Sequence, residues 1–307
     1  MKFFILILAV AALNSNAAQT FSVEGSAFDG VMAQQSSQDL CFVAQGTLDY
    51  LAKGQQYDPQ VIKAGVVARF GVSLAKVKAT LAFVCQVEQE DRAAKRPSRL
   101  ADPEFIKHHF KMIRWRPDKT QSHQFESGKP LVKNIPDDKI LLTKYYIKLA
   151  QGNLTPAPAT PHALYAIPHD EQHLSLEQAA QQKDQLTRFK FTKNQVLSGV
   201  IDQQSLAEPL VWLSRDDLED TLMQGTVKIA LNGVDKYFNV HRNNGIGYQR
   251  NLKKRQQKRY WYFKQTPHVL GYGKDANYKI PIEPLVTVAG DLAYLGLGKL
   301  IMLTHNG

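Results

Sequence analysis

Residues 139–168 read Lys139-Ile140-Leu141-Leu142-Thr143-Lys144-Tyr145-Tyr146-Ile147, then Lys148-Leu149-Ala150-Gln151-Gly152, a proline-rich connection over 155–161, and His162-Ala163-Leu164-Tyr165-Ala166-Ile167-Pro168. Here the chain changes character from helix to strand. Residues 139–147 are rich in β-branched and aromatic side chains, which predicts a strand. Residues 162–168 predict a short edge-type strand closed by Pro168. Further strands are expected at 209–213, 223–231, 236–242 and 260–263, and Asn232-Gly233 is a hairpin turn signal. Strands at 284–289 and 299–303 are expected to close the chain, and no internal repeat is seen.

Upstream the pattern is helical. Leu40, Ala44, Leu48 and Leu51 recur at helical spacing, and Gly54 can close that helix. Ser73 is an N-cap for a second helix with Leu74, Val77, Leu81 and Val84 on one face. Asp102-Pro103 starts a third, carrying Phe105, Ile106, Phe110 and Ile113 and ending at Trp115-Arg116-Pro117. Packing the first two helices together would bring Cys41 and Cys85 close. An even pair in an oxidising compartment favours a disulfide; two buried free thiols fit the sequence as well. Neither cysteine has histidine neighbours at zinc-ligand spacing, so no metal and no cofactor is expected.

Met1-Lys2, an apolar run over 3–13 and small residues at Ser15 and Ala17 predict a secretory signal peptide over 1–17. The run is too short to span a bilayer, which needs about 20 apolar residues. No cysteine follows it, so no lipid anchor is expected, and export to the periplasm or cell envelope, toward the outer membrane, is. Net charge is +10 at pH 7, which favours polyanionic partners. The densest basic run, 250–264, holds Lys253, Lys254, Arg255, Lys258 and Arg259 beside Tyr260, Trp261, Tyr262 and Phe263. Such runs can bind single-stranded nucleic acid. In an exported chain it reads as a solvated basic loop leading into a buried aromatic strand, with no nucleic acid as partner.

The ordered set of segments after Ile140 resembles the lytic transglycosylase A family. Leu141-Leu142-Thr143-Lys144-Tyr145-Tyr146 is similar to that family's Thr-Gly-Tyr-Tyr-Glu-Pro opening, and Pro161 through Leu164-Tyr165 to Pro168 to its Pro-Leu-Tyr strand. Gln224-Gly225-Thr226-Val227 resembles its Gln-Gly-Ser-Gly motif, and Asn244-Gly245-Ile246-Gly247-Tyr248 its Asn-Gly-x-x-Tyr turn. The stretch Ile280-Pro281-Ile282-Glu283-Pro284 to Asp291, then Gly296-Leu297-Gly298, resembles the opening of its three-aspartate barrel. Lys144 departs from the motif's glycine, Ile147-Lys148 from Glu-Pro, and Thr226-Val227 from Ser-Gly.

The resemblance implies an α+β, β-rich chain: a helical region over 36–138 after a loose lead-in at 18–35, a β domain over 139–240, and an incomplete double-psi barrel over 241–307, with one β-barrel inserted in the other. It also implies peptidoglycan glycan strands as partner and cleavage of the β-1,4 bond after N-acetylmuramic acid, giving a 1,6-anhydro product. That reaction needs one carboxyl group to protonate the leaving oxygen, held protonated near neutral pH by a partly desolvated groove. The family's catalytic aspartate lies in an Asp-x-Gly-Gly segment that would follow Gly307, so impaired catalysis is expected.

Asp291 matches a family barrel position and is the weak catalytic candidate; its other reading is a turn-holding carboxylate. Thr143, Tyr145, Tyr146, Gln224, Asn244, Gly245 and Tyr248 are the substrate-binding candidates, since tyrosine offers a flat apolar body with a polar tip. For Asn244-Gly245, turn chemistry competes with sugar contact. Asp216, Asp217, Glu219 and Asp220 read as a solvated helix face. Missing barrel strands would leave Leu297, Leu300, Ile301 and Met302 exposed. The competing functions are a non-catalytic peptidoglycan-binding protein and a basic polyanion-binding protein resting on 250–264; the oligomeric state is open.

Overall fold

The computed structural model describes residues 21–23, 36–123, 130–142 and 146–304. The expected signal peptide and nearly all of the lead-in lie outside the described residues. The chain forms two compact units: 1–31 with 102–144, and 32–101 with 145–307.

Strand β1 (Phe21–Val23) belongs to the first unit. It pairs antiparallel with β2 (Ile113–Trp115), and the rings of Phe21 and Trp115 stack at 5.4 Å. In the second unit, α1 (Ser37–Ala52) and α2 (Leu74–Ala93) are capped by Ser36 and Ser73, whose hydroxyls accept the N–H of Asp39 and Lys76. Cys41 and Cys85 are bridged, with Cα atoms 4.7 Å apart. Helix α3 (Pro103–His109), back in the first unit, starts at the Asp102 cap as expected but ends at His109. The apolar residues Phe110 and Ile113 extend past it because backbone pairing with β1 takes over the segment.

The second unit is dominated by one six-stranded sheet, in the order β4-β5-β3-β6-β7-β8. Its strands are β3 (Lys148–Asn153), β4 (His162–Tyr165), β5 (Pro209–Leu213), β6 (Thr226–Leu231), β7 (Val234–Asn243) and β8 (Trp261–Thr266). Only β3 and β6 pair in parallel; the other neighbours run antiparallel. The end strands β4 and β8 come together, so the sheet is a nearly closed barrel. Its interior holds Leu164, Val211, Leu213, Val227, Ile229, Phe238, Tyr260, Tyr262 and Phe263, all essentially inaccessible to solvent. Gly152 sits where a Cβ would lie 2.7 Å from Val211, so close strand packing requires glycine there. The β6–β7 hairpin turns on Asn232 and Gly233, both at positive φ (51° and 76°), as the Asn-Gly signal implies.

Three expected strands are not formed among the described residues. Residues 139–142 and 146–147 are irregular, and pairing starts at Lys148 instead. There Ala150 turns into the barrel and Lys148 reaches the acids of a neighbouring helix, so tertiary contacts override the propensity of the preceding run. Residues 284–289 and 299–303 form no strand either. The last segment packs on α1 and α2: Leu297 is buried with Leu51, Ile62 and Leu81, and its N–H donates to Val61 O. Leu297 is therefore not an exposed edge residue, whereas Leu300 and Met302 are exposed. Strand β7 runs continuously through positions 240 and 241.

Between β5 and β6 lies a helix, Arg215–Gln224, capped by Ser214. Its acids are not a solvated face. Glu219 is buried and accepts from Lys193 Nζ at 2.6 Å and from Arg215. Asp217 and Asp220 hold Lys148, Asp220 holds Lys254, and Asp216 holds Arg255. The basic loop is solvated, as expected, with Lys253, Arg255 and Lys258 exposed, but two of its cations, Lys254 and Arg255, also tie it to this helix. Glu219→Ala leaves the buried Lys193 ammonium uncompensated and is expected to cost about 3–5 kcal/mol. Lys193→Met with Glu219→Leu is expected to recover most of that, as read by urea unfolding. Equal losses in both proteins would show that the pair contributes only packing.

Candidate functional site

One open cleft of about 440 Å³ lies within the second unit. Its wall begins just past α1 with Lys53 and Tyr57, continues through the loop 172–178 and crosses His241 and Arg242 on β7. Asn277 and Tyr278 close it. The loop enters a short helix, Leu176–Gln181, through a reciprocal cap between Ser175 and Gln178.

Aromatic rings line one side. Tyr57 and Tyr278 meet edge-on at 6.1 Å, and Lys53 Nζ sits 4.0 Å from the Tyr278 ring centre and 5.2 Å from that of Tyr57. Behind them Tyr50 and Tyr272 both donate to Asp58 Oδ2, at 2.8 and 2.9 Å. Burial, then the Asp58 carboxylate, pushes Tyr272 up to about 12, and burial does the same for Tyr57. Tyr50, Tyr57 and Tyr272 stay protonated donors at neutral pH.

A buried charged network stands behind His241 and Arg242 of the lining. Arg188 Nε donates to both oxygens of the fully buried Glu171, at 2.6 and 2.9 Å. Arg242 donates from Nη2 to Leu174 O at 2.8 Å and lies 3.7 Å from Glu171 and from Asp275. Its Nε and Nη1, and Asp275 Oδ2, have no hydrogen-bond partner among the described residues. His241 Nδ1 accepts the Ala276 N–H at 3.2 Å, which places the ring proton on Nε2. Burial, partly offset by Asp275 at 3.8 Å, pulls the His241 pKa down to about 4. The ring is therefore a neutral donor. Burial likewise lowers Lys279 to about 8, with its ammonium on Val240 O. At the rim, Glu177 is held ionised by its backbone N–H and by Ser175, which lower its pKa. The cleft thus offers flat rings, neutral donors, amides and an ammonium, and its rim carboxylate is a charge rather than a proton donor.

The candidates drawn from the sequence scatter. Thr143 and Tyr145 lie outside the described residues. Tyr146 is exposed and joins no strand. Gln224 ends the Arg215–Gln224 helix, and Gly225 follows in the left-handed region (φ 78°). Asn244 is buried and fully engaged: Nδ2 donates to Phe191 O and Lys258 O, and Oδ1 accepts the Tyr260 N–H. These bonds join its turn to the segments at Phe191 and Lys258. Gly245 is also at positive φ, with Phe189 against it. Tyr248 is half-exposed beside Arg259. Asp291 is an exposed N-cap whose side chain accepts the Tyr294 N–H, the turn-holding role. Tyr57, His241, Arg242 and Tyr278 were not among the candidates. The available signal was His241-Arg242, two polar residues inside an otherwise alternating strand.

Comparison with solved structures bears on this fold. A membrane-bound lytic murein transglycosylase from Agrobacterium tumefaciens superposes with a TM-score of 0.50 and 12% identity, over 82% of this chain and 75% of that one. The chain shares the fold of that protein. MltA from E. coli with bound chitohexaose aligns with a TM-score of 0.43 and 14% identity, over 86% and 70% of the two chains. MltA from Neisseria gonorrhoeae gives 0.41 and 12%, over 82% and 69%. No protein-family model and no curated protein matches the sequence. Among the described residues, no helix is long and apolar enough to cross a membrane.

His241 gives a pH prediction. Its folded pKa, about 4, lies below the ordinary value of 6.5, so the unfolded chain binds more protons between those values. Stability should therefore rise with pH across 4–6.5, by on the order of 3 kcal/mol from this residue. The groups facing it are Asp275, Arg242, Lys264 and Lys279. His241→Gln is expected to flatten that rise in thermal melts taken at successive pH values. An unchanged slope would assign the dependence to the carboxylates instead.

Proposed function

We propose that the protein binds peptidoglycan glycan strands in the Tyr57–Tyr278 cleft, as an exported protein of the cell envelope. The observation that carries this reading is the cleft's chemistry. Two edge-on tyrosine rings offer flat apolar faces to sugar rings. Neutral His241, Gln172, Gln178 and Asn277 supply donors and acceptors for hydroxyl and acetamido groups. Lys53 supplies one cation for a carboxylate. The neighbour sharing the fold at a TM-score of 0.50 is by name a murein transglycosylase, which fits the same polymer.

Binding is favoured over cleavage for a local reason. Among the described carboxyl groups with a displaced pKa, each is displaced downward: Glu90, Asp91, Glu177, Asp216 and Asp220. Leaving-group protonation needs the opposite displacement. Asp291 is exposed and engaged as a cap. The second reading is cleavage to 1,6-anhydro products, with the segment beyond Thr266 as part of a three-aspartate barrel. Asp275, buried behind Arg242 and unsatisfied at one oxygen, is the carboxylate to test for it.

Sedimentation with purified sacculi, followed by mass spectrometry of the soluble fraction, separates these readings. The chain is expected to pellet with sacculi and release no 1,6-anhydromuropeptides. Tyr57→Ala and Tyr278→Ala are each expected to weaken binding about fivefold, one ring contact's worth. Release of anhydro products that Asp275→Asn abolishes would establish the second reading; no pelleting would end the first.

A further inference from the structure

Arg259 lies just ahead of β8 and carries a charge that the fold leaves unanswered. Its guanidinium carbon sits 4.0 Å from the Trp261 ring centre and 5.3 Å from that of Tyr248. Among the described residues no carboxylate pairs with it and no acceptor takes its N–H groups. Two neighbours in the basic run differ: Lys254 is held by Asp220 at 2.6 Å and Arg255 by Asp216 at 2.5 Å, while Lys253 and Lys258 are exposed and carry no ring contact among the described residues. Contact with the rings strips water from the Arg259 guanidinium and lowers its pKa, and only the Tyr248 phenol works against that. A leucine or methionine would pack two rings without that penalty.

The surroundings are built to hold this side chain. Asn244, itself buried, clamps the backbone on both sides of it, taking the Tyr260 N–H with Oδ1 and donating to Lys258 O with Nδ2. The Lys193 N–H donates to the same Lys258 oxygen at 2.9 Å. Trp261 is placed by an absence: a Cβ on Gly225 would lie 2.9 Å from its ring. The Gln224-Gly225 and Asn244…Tyr248 segments, far apart in sequence, therefore meet at one stacked arginine. Stacking holds the guanidinium plane fixed, which preserves the forked donor geometry that matches a carboxylate.

We propose that Arg259 is a carboxylate-binding residue, taking an acid group presented by the bound polymer. This rests on the peptidoglycan reading, where the acid comes either from the lactyl group of the muramic sugar or from the stem peptide. Lysine at this position would keep the charge but lose the fork and the stack.

Calorimetric titration of the full chain with three probes tests it: N-acetylmuramic acid, a free stem peptide and neutral chitotriose. Arg259→Gln is expected to weaken one of the two acidic probes about tenfold, the worth of a charge-assisted hydrogen bond, and to leave chitotriose unchanged. Whichever acidic probe responds identifies the source. Arg259→Lys is expected to recover only part of the loss, and Arg255→Gln none of it to lose. Equal binding of both acidic probes by wild type and Arg259→Gln would overturn the proposal, as would an equal loss in Arg255→Gln, which would signify diffuse charge. An Arg259-dependent acid probe with no chitotriose binding would uphold this site while ending the glycan-cleft reading.

Discussion

The ion pair between Lys193 and Glu219 is the point from which the barrel's outer wall is organised. Both groups are buried, so each had to lose its water. Such a pair persists only when the remaining donors and lone pairs are also used. They are: Lys193 Nζ donates to Glu219 and to Lys254 O, and the second Glu219 oxygen takes two N–H groups from Arg215. Three separate segments meet at one ammonium. Further acids of the same helix then reach outward, to Lys148 at the start of β3 and to Lys254 and Arg255 in the loop before β8. One ten-residue helix fixes where two barrel strands begin.

That arrangement changes the meaning of the net charge. A surplus of ten cations suggests a surface for polyanions, and the run from Arg250 to Lys264 is its densest part. Two of its cations answer acids of the same chain and contribute to folding rather than to a diffuse field. Selectivity can then come from few charges in fixed geometry: Lys53 over its tyrosines, Arg242 on the cleft floor and Arg259 between two rings.

Features set by neighbours in sequence were legible from the sequence. The serine caps before α1 and α2, the Asp102-Pro103 start and the Asn232-Gly233 hairpin all depend on chemistry within four residues. The run over 139–147 was misread because its β-branched side chains fit a strand only where a partner exists, and the partner of β6 proved to be 148–153. The acids of 216–220 looked solvated because their cations lie up to 72 residues away. The cleft was missed for the same reason: Tyr57, His241 and Tyr278 come from three distant segments and share no spacing. Tyr248 was a sequence candidate, but the arginine against its ring was not, since that contact is visible only in three dimensions.

The end of the described chain is held by backbone contact rather than by strand pairing, and this bears on the cleft. Gly65 and Gly296 pack so closely that a Cβ on the first would lie 1.9 Å from Leu295 O, and one on the second 2.4 Å from Lys63 O. Both glycines sit at positive φ, so two constraints select the same residue type. Gly298 then rests against Leu51, Val77 and Leu81, on the two helices that the Cys41–Cys85 bridge joins. The same helix pair carries Tyr50, which shares Asp58 with Tyr272 and packs edge-on against Tyr57. A contiguous path of packed groups therefore runs from the disulfide to the aromatic wall of the cleft. Rigidity of that wall is a property of the helical pair, so the helices serve the site even though none of the cleft's charged floor residues comes from them.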